Sequence, residues 1–246
     1  MSRKGISESD LAIIPKARKD THKVILDWLS MQKRGSLFDA PAGYGHLSMH
    51  LKNMGYQVVC GEVEPDIFRV KDIECIYTDL NVAIPMPDGS FDYVCCVDGL
   101  EHMTDPHRAV SELARVLKPG GIAIFALPNY SNIEKRFRYF WRGYVTRPKT
   151  LEDYQGAGSN VFNFHNTTIP ITILDLLFAI NGLRVETILQ DKVKGKQYFF
   201  LPLLLILKLE ASLSGSRSRE RHRFDLTLRR EVVLGGNELI FIARKG

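Results

Sequence analysis

The chain has 246 residues, of which 45% are hydrophobic and 25% charged; this balance suits a folded globular protein and excludes a long disordered or fibrous one. The formal charge is +5, and the stretch from Arg217 to Arg230 alone carries six arginines against Glu220 and Asp225, a local sum of +4. The rest is near neutral, without the spread basic footprint of a nucleic-acid enzyme, so nucleic acid is a disfavoured partner. The opening MSRKGISESD lacks the apolar core of a secretory signal. Cys60, Cys75, Cys95 and Cys96 each sit in an apolar run, with no CxxC and no zinc-type Cys/His spacing; they read as buried thiols of a reducing compartment, which points to the cytoplasm.

Residues 20–34 carry Val24, Ile25, Trp28 and Leu29 at helical spacing, with Gly35 as a stop. An alternation follows. SLFDA (36–40) is strand-like and HLSMHLKNM (46–54) helical; QVVCG (57–61), ECIY (74–77) and FDYVCCV (91–97) are strands; HRAVSELARVL (107–117) is a helix broken by Lys118-Pro119-Gly120-Gly121; IAIFAL (122–127) is the next strand. Further on, ITILDLLFAI (171–180) is helical, and LRVETIL (183–189) and ELIFIA (238–243) are strands. Short strands separated by helices of about ten residues imply βαβ units on a mostly parallel α/β sheet. A continuous apolar run such as YVCCV fits a strand buried on both faces, with adjacent Cys95 and Cys96 pointing to opposite sides. Segments 131–168 and 191–236 interrupt the alternation and read as insertions into a single domain of residues 1–246, not as separate domains.

The informative stretch runs from Leu37 to Glu64. A strand ending at Asp39 turns through Ala40-Pro41-Ala42-Gly43-Tyr44-Gly45 into a helix. Glycines at 43 and 45 let backbone approach a ligand, and the helix start presents unpaired N–H groups. The next strand ends in Gly61-Glu62, where an acidic residue can accept both hydroxyls of a ribose. The third strand leads to Asp79-Leu80, a carboxylate and apolar neighbour that could bracket an adenine.

The string D-A-P-A-G-Y-G resembles motif I of class I S-adenosylmethionine-dependent methyltransferases. The runs P-D-G-S-F-D-Y-V-C-C-V-D-G-L-E-H-M-T-D-P, R-V-L-K-P-G-G and A-L-P-N-Y are similar to the branch that includes the ubiquinone-biosynthesis-type enzymes, well over residues 36–130 and loosely over 165–190. The resemblance implies a Rossmann-like, seven-stranded, mostly parallel sheet with helices on both faces and an antiparallel last strand. It implies a cofactor-binding core at 36–130, preceded by a helical segment (1–35), with the insertions shaping the acceptor site. Asp39, Ala40, Gly43 and Gly45 would cradle the methionine and ribose part of S-adenosylmethionine. Glu62 would hold the ribose diol, Asp79 and Leu80 the adenine, and Val97, Asp98 and Gly99 the methionine end. One position departs from the pattern: Pro41 stands where the family's first motif-I glycine falls, so the turn loses an N–H there.

Methyl transfer by in-line displacement requires neither a metal nor a covalent intermediate, and no metal ligands are expected. A general base matters only for a hydroxyl or protonated-amine acceptor. His102 in E-H-M, His165 in F-N-F-H-N and Tyr130 after Pro128-Asn129 are the candidates, each with an alternative in cofactor-side structure, a loop or packing. The run FFLPLLLIL (199–207) is too short to span a bilayer. With Lys194, Lys196, Lys208 and the downstream arginines it suits either peripheral contact with anionic lipid and a lipid-linked acceptor or a core or dimer helix. The expected activity is methylation of a small-molecule or lipid-linked acceptor. Two rivals stay open: a non-catalytic S-adenosylmethionine-binding module or assembly partner, and a nicotinamide oxidoreductase, which prefers G-x-G-x-x-G to P-A-G-Y-G. The absence of an N-P-P-Y-type motif disfavours base or amide nitrogens as targets.

Overall fold

The computed structural model describes residues 19–156, 164, 165 and 167–246. Seven strands form one sheet: β1 (Ser36–Asp39), β2 (Gln57–Glu62), β3 (Glu74–Tyr77), β4 (Phe91–Val97), β5 (Leu117–Pro128), β6 (Leu183–Gln190) and β7 (Glu238–Lys245). Their spatial order is β3-β2-β1-β4-β5-β7-β6. All neighbours are parallel except β7, which runs antiparallel to both β5 and β6. The chain reverses its direction of travel across the sheet between β3 and β4, so β1 and β4 lie side by side at a switch point, where open α/β sheets bind ligands beyond their C-terminal strand ends.

Side-chain alternation divides the interior into two layers. Phe38, Val94, Cys96, Phe125 and Phe241 point to one face, against helix α3 (Pro106–Val116) and helix α6 (Ile171–Ile180). Leu37, Tyr93, Cys95, Ile124 and Ile242 point to the other, against α1 (Lys19–Ser30) and α2 (His46–Asn53). Cys95 and Cys96 are both fully buried, one in each layer. α3 starts on an Asp105 cap that accepts from the Arg108 N–H, with Pro106 in its first turn; both are strong helix-start signals.

One boundary differs from expectation. The Lys118-Pro119-Gly120-Gly121 stretch does not separate α3 from the strand; it lies within β5. Phe91 pairs with Leu117 and Tyr93 with Ile122, a register shift that lets the strand bulge around Gly120 at φ +73°. Proline and glycine in sequence mark a bulge as readily as a break.

The two interrupting segments pack on each other. The first contains α4 (Ile133–Arg142) and α5 (Leu151–Gly156). The second begins with a 3-10 turn (Gly195–Phe200) that runs into α7 (Leu201–Leu213), followed by the short helices α8 (Ser216–Arg221), α9 (Phe224–Thr227) and α10 (Arg230–Val233). Ile133, Leu204 and Val233 form a small core between them, flanked by Phe200, Leu203, Leu207, Leu228 and Leu234. Asn129 donates its amide to the Val232 carbonyl and Asn132 to that of Gly236, tying the end of β5 to this helical cap. Among the described residues no helix is long and apolar enough to cross a membrane.

Candidate active site

A cleft of about 760 Å³ opens over the C-terminal ends of β1, β2, β4 and β5 and beneath the helical cap. Its volume is that of a small-molecule site. One wall comes from the turn after β1. Gly43 and Gly45 adopt φ of +56° and +88°, conformations that L side chains rarely take. A Cβ at Gly45 would also meet the Phe68 ring at 2.6 Å and Val70 at 2.7 Å, so this glycine serves the packing beneath the turn. Gly43 lines the cleft and donates its N–H to Glu62 Oε2 at 2.8 Å. The other carboxylate oxygen of Glu62 accepts from the Val63 N–H at 3.0 Å. Glu62 thus ties the glycine turn to the end of β2, and it lines the cleft while almost fully buried.

Asp39 lies below the turn and accepts from Ser48 Oγ at 2.5 Å. Burial pushes its pKa up to about 7, the Ser48 hydrogen bond opposes the shift, and the Glu62 charge adds to it. Pro41 packs on Gly99, where a Cβ would lie 2.5 Å from Pro41 Cδ and 2.8 Å from Cys96 Sγ. The proline at the motif position is therefore matched by the missing side chain of the residue after Asp98. Asp98 itself stands at φ +49°, beside Val97 on the cleft wall.

The opposite wall holds the titratable groups. His102, in the 3-10 turn Leu100–His102 after β4, places Nδ1 2.7 Å from the Phe164 carbonyl. A carbonyl only accepts, so Nδ1 carries the hydrogen and Nε2 of the neutral ring carries the lone pair. Tyr130, two residues beyond β5, places its hydroxyl 3.0 Å from His165 Nδ1. The two imidazoles meet edge to face with centroids 5.0 Å apart. Burial, then the charges of His102, Lys135 and Lys149, lower the His165 pKa. Burial, then the carboxylates of Glu101 and Asp98, raise that of Tyr130. Glu101 is 1% exposed, and burial, with Asp98 next, pushes it up to about 8.

Of the residues singled out in sequence, Asp39, Gly43, Glu62, Val97, Asp98, His102, Tyr130 and His165 line this one cleft. Ala40, Gly45, Asp79, Leu80 and Gly99 are outside its lining. Asp79 accepts from the Asn81 N–H and side-chain amide, and Leu80 is a core residue. Sequence reasoning passed over other lining residues. From α1 and α2 come His22 and His46, whose Nδ1 atoms are 3.0 Å apart; burial, then His46 and His50, lower His22 to about 4. From the cap come Glu134, Lys135, Arg138, Lys194 and Lys196, with Lys196 Nζ 3.0 Å from Glu134. Glu101 was visible beside His102, but nothing in the string said that it would be buried.

Comparison with known proteins agrees with this fold. Residues 38–125 match the family described as "Methyltransferase domain". A ubiquinone biosynthesis O-methyltransferase of Xanthomonas oryzae is 31% identical over 94 residues, covering 35% of this chain and 39% of the relative. A demethylmenaquinone methyltransferase of Renibacterium salmoninarum is 29% identical, covering 51% and 54%. The chain therefore spans about two fifths to just over half the length of these relatives. Among solved structures, a SAM-dependent methyltransferase of Archaeoglobus fulgidus aligns with TM-score 0.56 at 13% identity, covering 91% of this chain and 94% of its own. The [4+2]-cyclase SpnF aligns with TM-score 0.53 at 17% identity, covering 92% and 79%. Residues 38–125 thus match a methyltransferase domain, and the fold of the chain is the Rossmann-like fold of solved S-adenosylmethionine-dependent methyltransferases. Within the class, its sequence is similar to the quinone-biosynthesis branch, and S-adenosylmethionine is the cofactor such a domain holds.

Proposed function

We propose that the chain transfers a methyl group from S-adenosylmethionine to a small-molecule or lipid-linked acceptor, in the cytoplasm. The observation that carries this reading is the single cleft in which Gly43 and Glu62 face the Tyr130–His165–His102 group. In it, the buried Glu62 carboxylate would hold the ribose hydroxyls, the Gly43 turn would take the cofactor backbone, and Val97 and Asp98 would flank the methionine end. Ala40, Gly45 and Gly99 would shape that wall from behind. Asp79 and Leu80 would bound the adenine from the β3 side. Bound there, S-adenosylmethionine supplies an electrophilic methyl group.

The residues of this chain orient and deprotonate. Enclosure of both reactants between the sheet and the cap supplies alignment, an effect of up to about 7–11 kcal/mol. His102 Nε2 is the basic atom that can receive an acceptor proton, since Nδ1 is committed to Phe164. His165 and Tyr130, joined at 3.0 Å, offer a second base and a route for the proton outward. A positioned base contributes roughly 10²–10⁴-fold.

The cap supports an apolar or lipid-linked acceptor. α7 leaves Leu201, Leu205, Leu209 and Leu213 exposed at four-residue intervals, with Ile206 beside them. α4 adds Phe140 (81% exposed) and Trp141 (74%). Exposed apolar helix faces beside Lys208, Arg217, Arg219 and Arg221 suit the interface of an anionic bilayer. The similarity to a ubiquinone biosynthesis O-methyltransferase and a demethylmenaquinone methyltransferase fits such an acceptor. Flotation with liposomes, with and without anionic lipid, tests the attachment. Salt-sensitive binding lost on replacing Arg217, Arg219 and Arg221 together is expected; no binding at low salt returns α7 to dimer or partner packing.

A further inference from the structure

Charge divides the cleft. Its lining carboxylates Asp39, Glu62, Asp98 and Glu101 belong to the sheet strands and the turns that follow them, whereas Lys135, Arg138, Lys194 and Lys196 all come from the helical cap. Among the described lining residues, Glu134 is the one acid that the cap contributes. From this arrangement we propose that the four cations form a subsite for a phosphate monoester carried by the methyl acceptor. The inference rests on the methyltransferase reading for the acceptor, but not for the anion site itself.

Two segments far apart in sequence build the subsite. On α4, Lys135 and Arg138 are three residues apart and so share a face. The Asn132 side chain fixes the start of that helix by accepting from the Lys135 N–H at 2.9 Å. Lys194 and Lys196 enter from the stretch after β6, which docks on α4 through the Phe137 and Phe200 rings, 5.3 Å apart. The junction is Glu134. Arg138 Nη2 and Lys196 Nζ each lie 3.0 Å from its Oε1, and Lys194 Nζ lies 3.7 Å from its Oε2. Lys194 and Glu134 each keep only 16% of the side chain exposed, so their charges act in a poorly solvated corner of the cleft.

Charge and shape select the ligand. The four cations stand against a single cap carboxylate, and a second carboxylate would offset only one more charge. A phosphate monoester brings about −1.5 to −2 at pH 7, with three strong acceptor oxygens. An arginine fork and flexible lysine ammoniums are the donor set that such a group takes, and a cleft with low-dielectric walls concentrates their field.

The position suits the acceptor. Lys135 Nζ lies 4.8 Å from the centre of the Tyr130 ring, and the Tyr130 hydroxyl is 3.0 Å from His165 Nδ1, so the cations adjoin the proposed bases. The sulfonium and ammonium of S-adenosylmethionine match the acidic half of the cleft, which leaves the basic half to the other reactant.

Calorimetric titration of the full chain with phenyl phosphate, at low ionic strength and without cofactor, tests the subsite. One equivalent should bind saturably, and benzoate should bind about tenfold more weakly or worse. Arg138→Gln and Lys194→Gln should each weaken phenyl phosphate binding about tenfold or more while circular dichroism stays unchanged. Lys196, whose side chain is 64% exposed, offers a variant with little to disturb in the fold, and Lys196→Gln should weaken binding severalfold. Glu134→Gln removes the opposing charge and should tighten it. Saturating S-adenosylhomocysteine should leave the affinity for phenyl phosphate unchanged. Absence of saturable binding, or unchanged affinity in folded Lys194→Gln and Lys196→Gln, overturns the subsite. Looser binding in folded Glu134→Gln does the same, because the cations would then serve Glu134 and not a ligand. Benzoate bound as tightly as phenyl phosphate overturns the phosphate assignment. Displacement of phenyl phosphate by S-adenosylhomocysteine overturns the acceptor's claim on the cations, which would then hold the carboxylate at the cofactor's methionine end. Farnesyl phosphate bound more tightly than phenyl phosphate places the group on a lipid-linked acceptor and the reverse order on a water-soluble one; either order supports the subsite. Titration with S-adenosylmethionine checks the methyltransferase reading separately, because phenyl phosphate binding does not require it.

Discussion

Glu62→Ala should separate the cofactor from the fold. The Glu62 carboxylate is almost fully buried and already accepts from Gly43 and Val63 at 2.8 and 3.0 Å, and the ribose diol would add two more donors on its open side. Each hydrogen bond to a charged group is worth about 1.5–3 kcal/mol. Because a bound ribose exchanges water for the carboxylate, the net loss of affinity should lie near one such bond, or roughly ten- to a hundredfold in Kd. The same substitution strands the Gly43 N–H, at about 1–3 kcal/mol, and lets the turn relax. Calorimetry with S-adenosylmethionine and a thermal melt should therefore both respond, with the wild-type circular dichroism retained. Glu62→Gln keeps an acceptor for Gly43 and should recover much of the melting temperature but little of the affinity. A folded Glu62→Ala with an unchanged dissociation constant would refute the assignment.

Gly43→Val should abolish cofactor binding in a folded protein, because the residue lines the cleft at φ +56°, a conformation that branched side chains rarely adopt; tight binding by equilibrium dialysis would make the turn only a turn. The contribution of Asp39 to the stability of the apo protein should fall as pH rises from about 4 to 7, against an opposite contribution from His22, which is lowered to about 4. Asp39 is raised from 3.8 to about 7, so the folded state holds its proton more tightly than the unfolded chain; that stability is fully present below about pH 4 and is lost as pH passes 7. Asp39→Asn should remove that contribution, so that stability at pH 7 relative to pH 4 rises compared with the wild type in denaturant titrations at a series of pH values, and an unaltered pH dependence would contradict the buried-acid picture. Tyr130→Phe removes the partner of His165 Nδ1 and should lower kcat by about tenfold or less with the cofactor Kd unchanged; no change in kcat would confine Tyr130 to packing.

Much of the sheet could be read from local pattern. FDYVCCV and ELIFIA are apolar on both faces and became the central β4 and antiparallel β7, because buried strands need no polar alternation. The wall of the cleft made by residues 39–64 was equally legible, since a glycine turn and the acid at the end of the next strand sit within one βαβ unit. The opposite wall was only partly visible. His102, Tyr130 and His165 were picked singly, but their meeting is a long-range contact, which no spacing encodes. His22 and His46 escaped notice because α1 read only as an amphipathic helix; its docking against β7, through the Thr21 hydroxyl on Glu238, is a long-range contact. The 118–121 boundary was misplaced for a local reason: Pro-Gly-Gly signals both a break and a bulge. The apolar run at 199–207 entered a helix, as its composition suggested, although its exposed face had no signature that distinguished it from a core helix.

The most direct test uses S-adenosylmethionine labelled in the methyl group, incubated with the protein and with fractionated polar and lipid extracts. The account predicts time-dependent label in a low-molecular-mass product, strongest in a lipid-extractable fraction, with matching release of S-adenosylhomocysteine and loss of both in Glu62→Ala. Binding of S-adenosylmethionine with no label transferred to any fraction would contradict catalysis and leave a cofactor-binding module in its place.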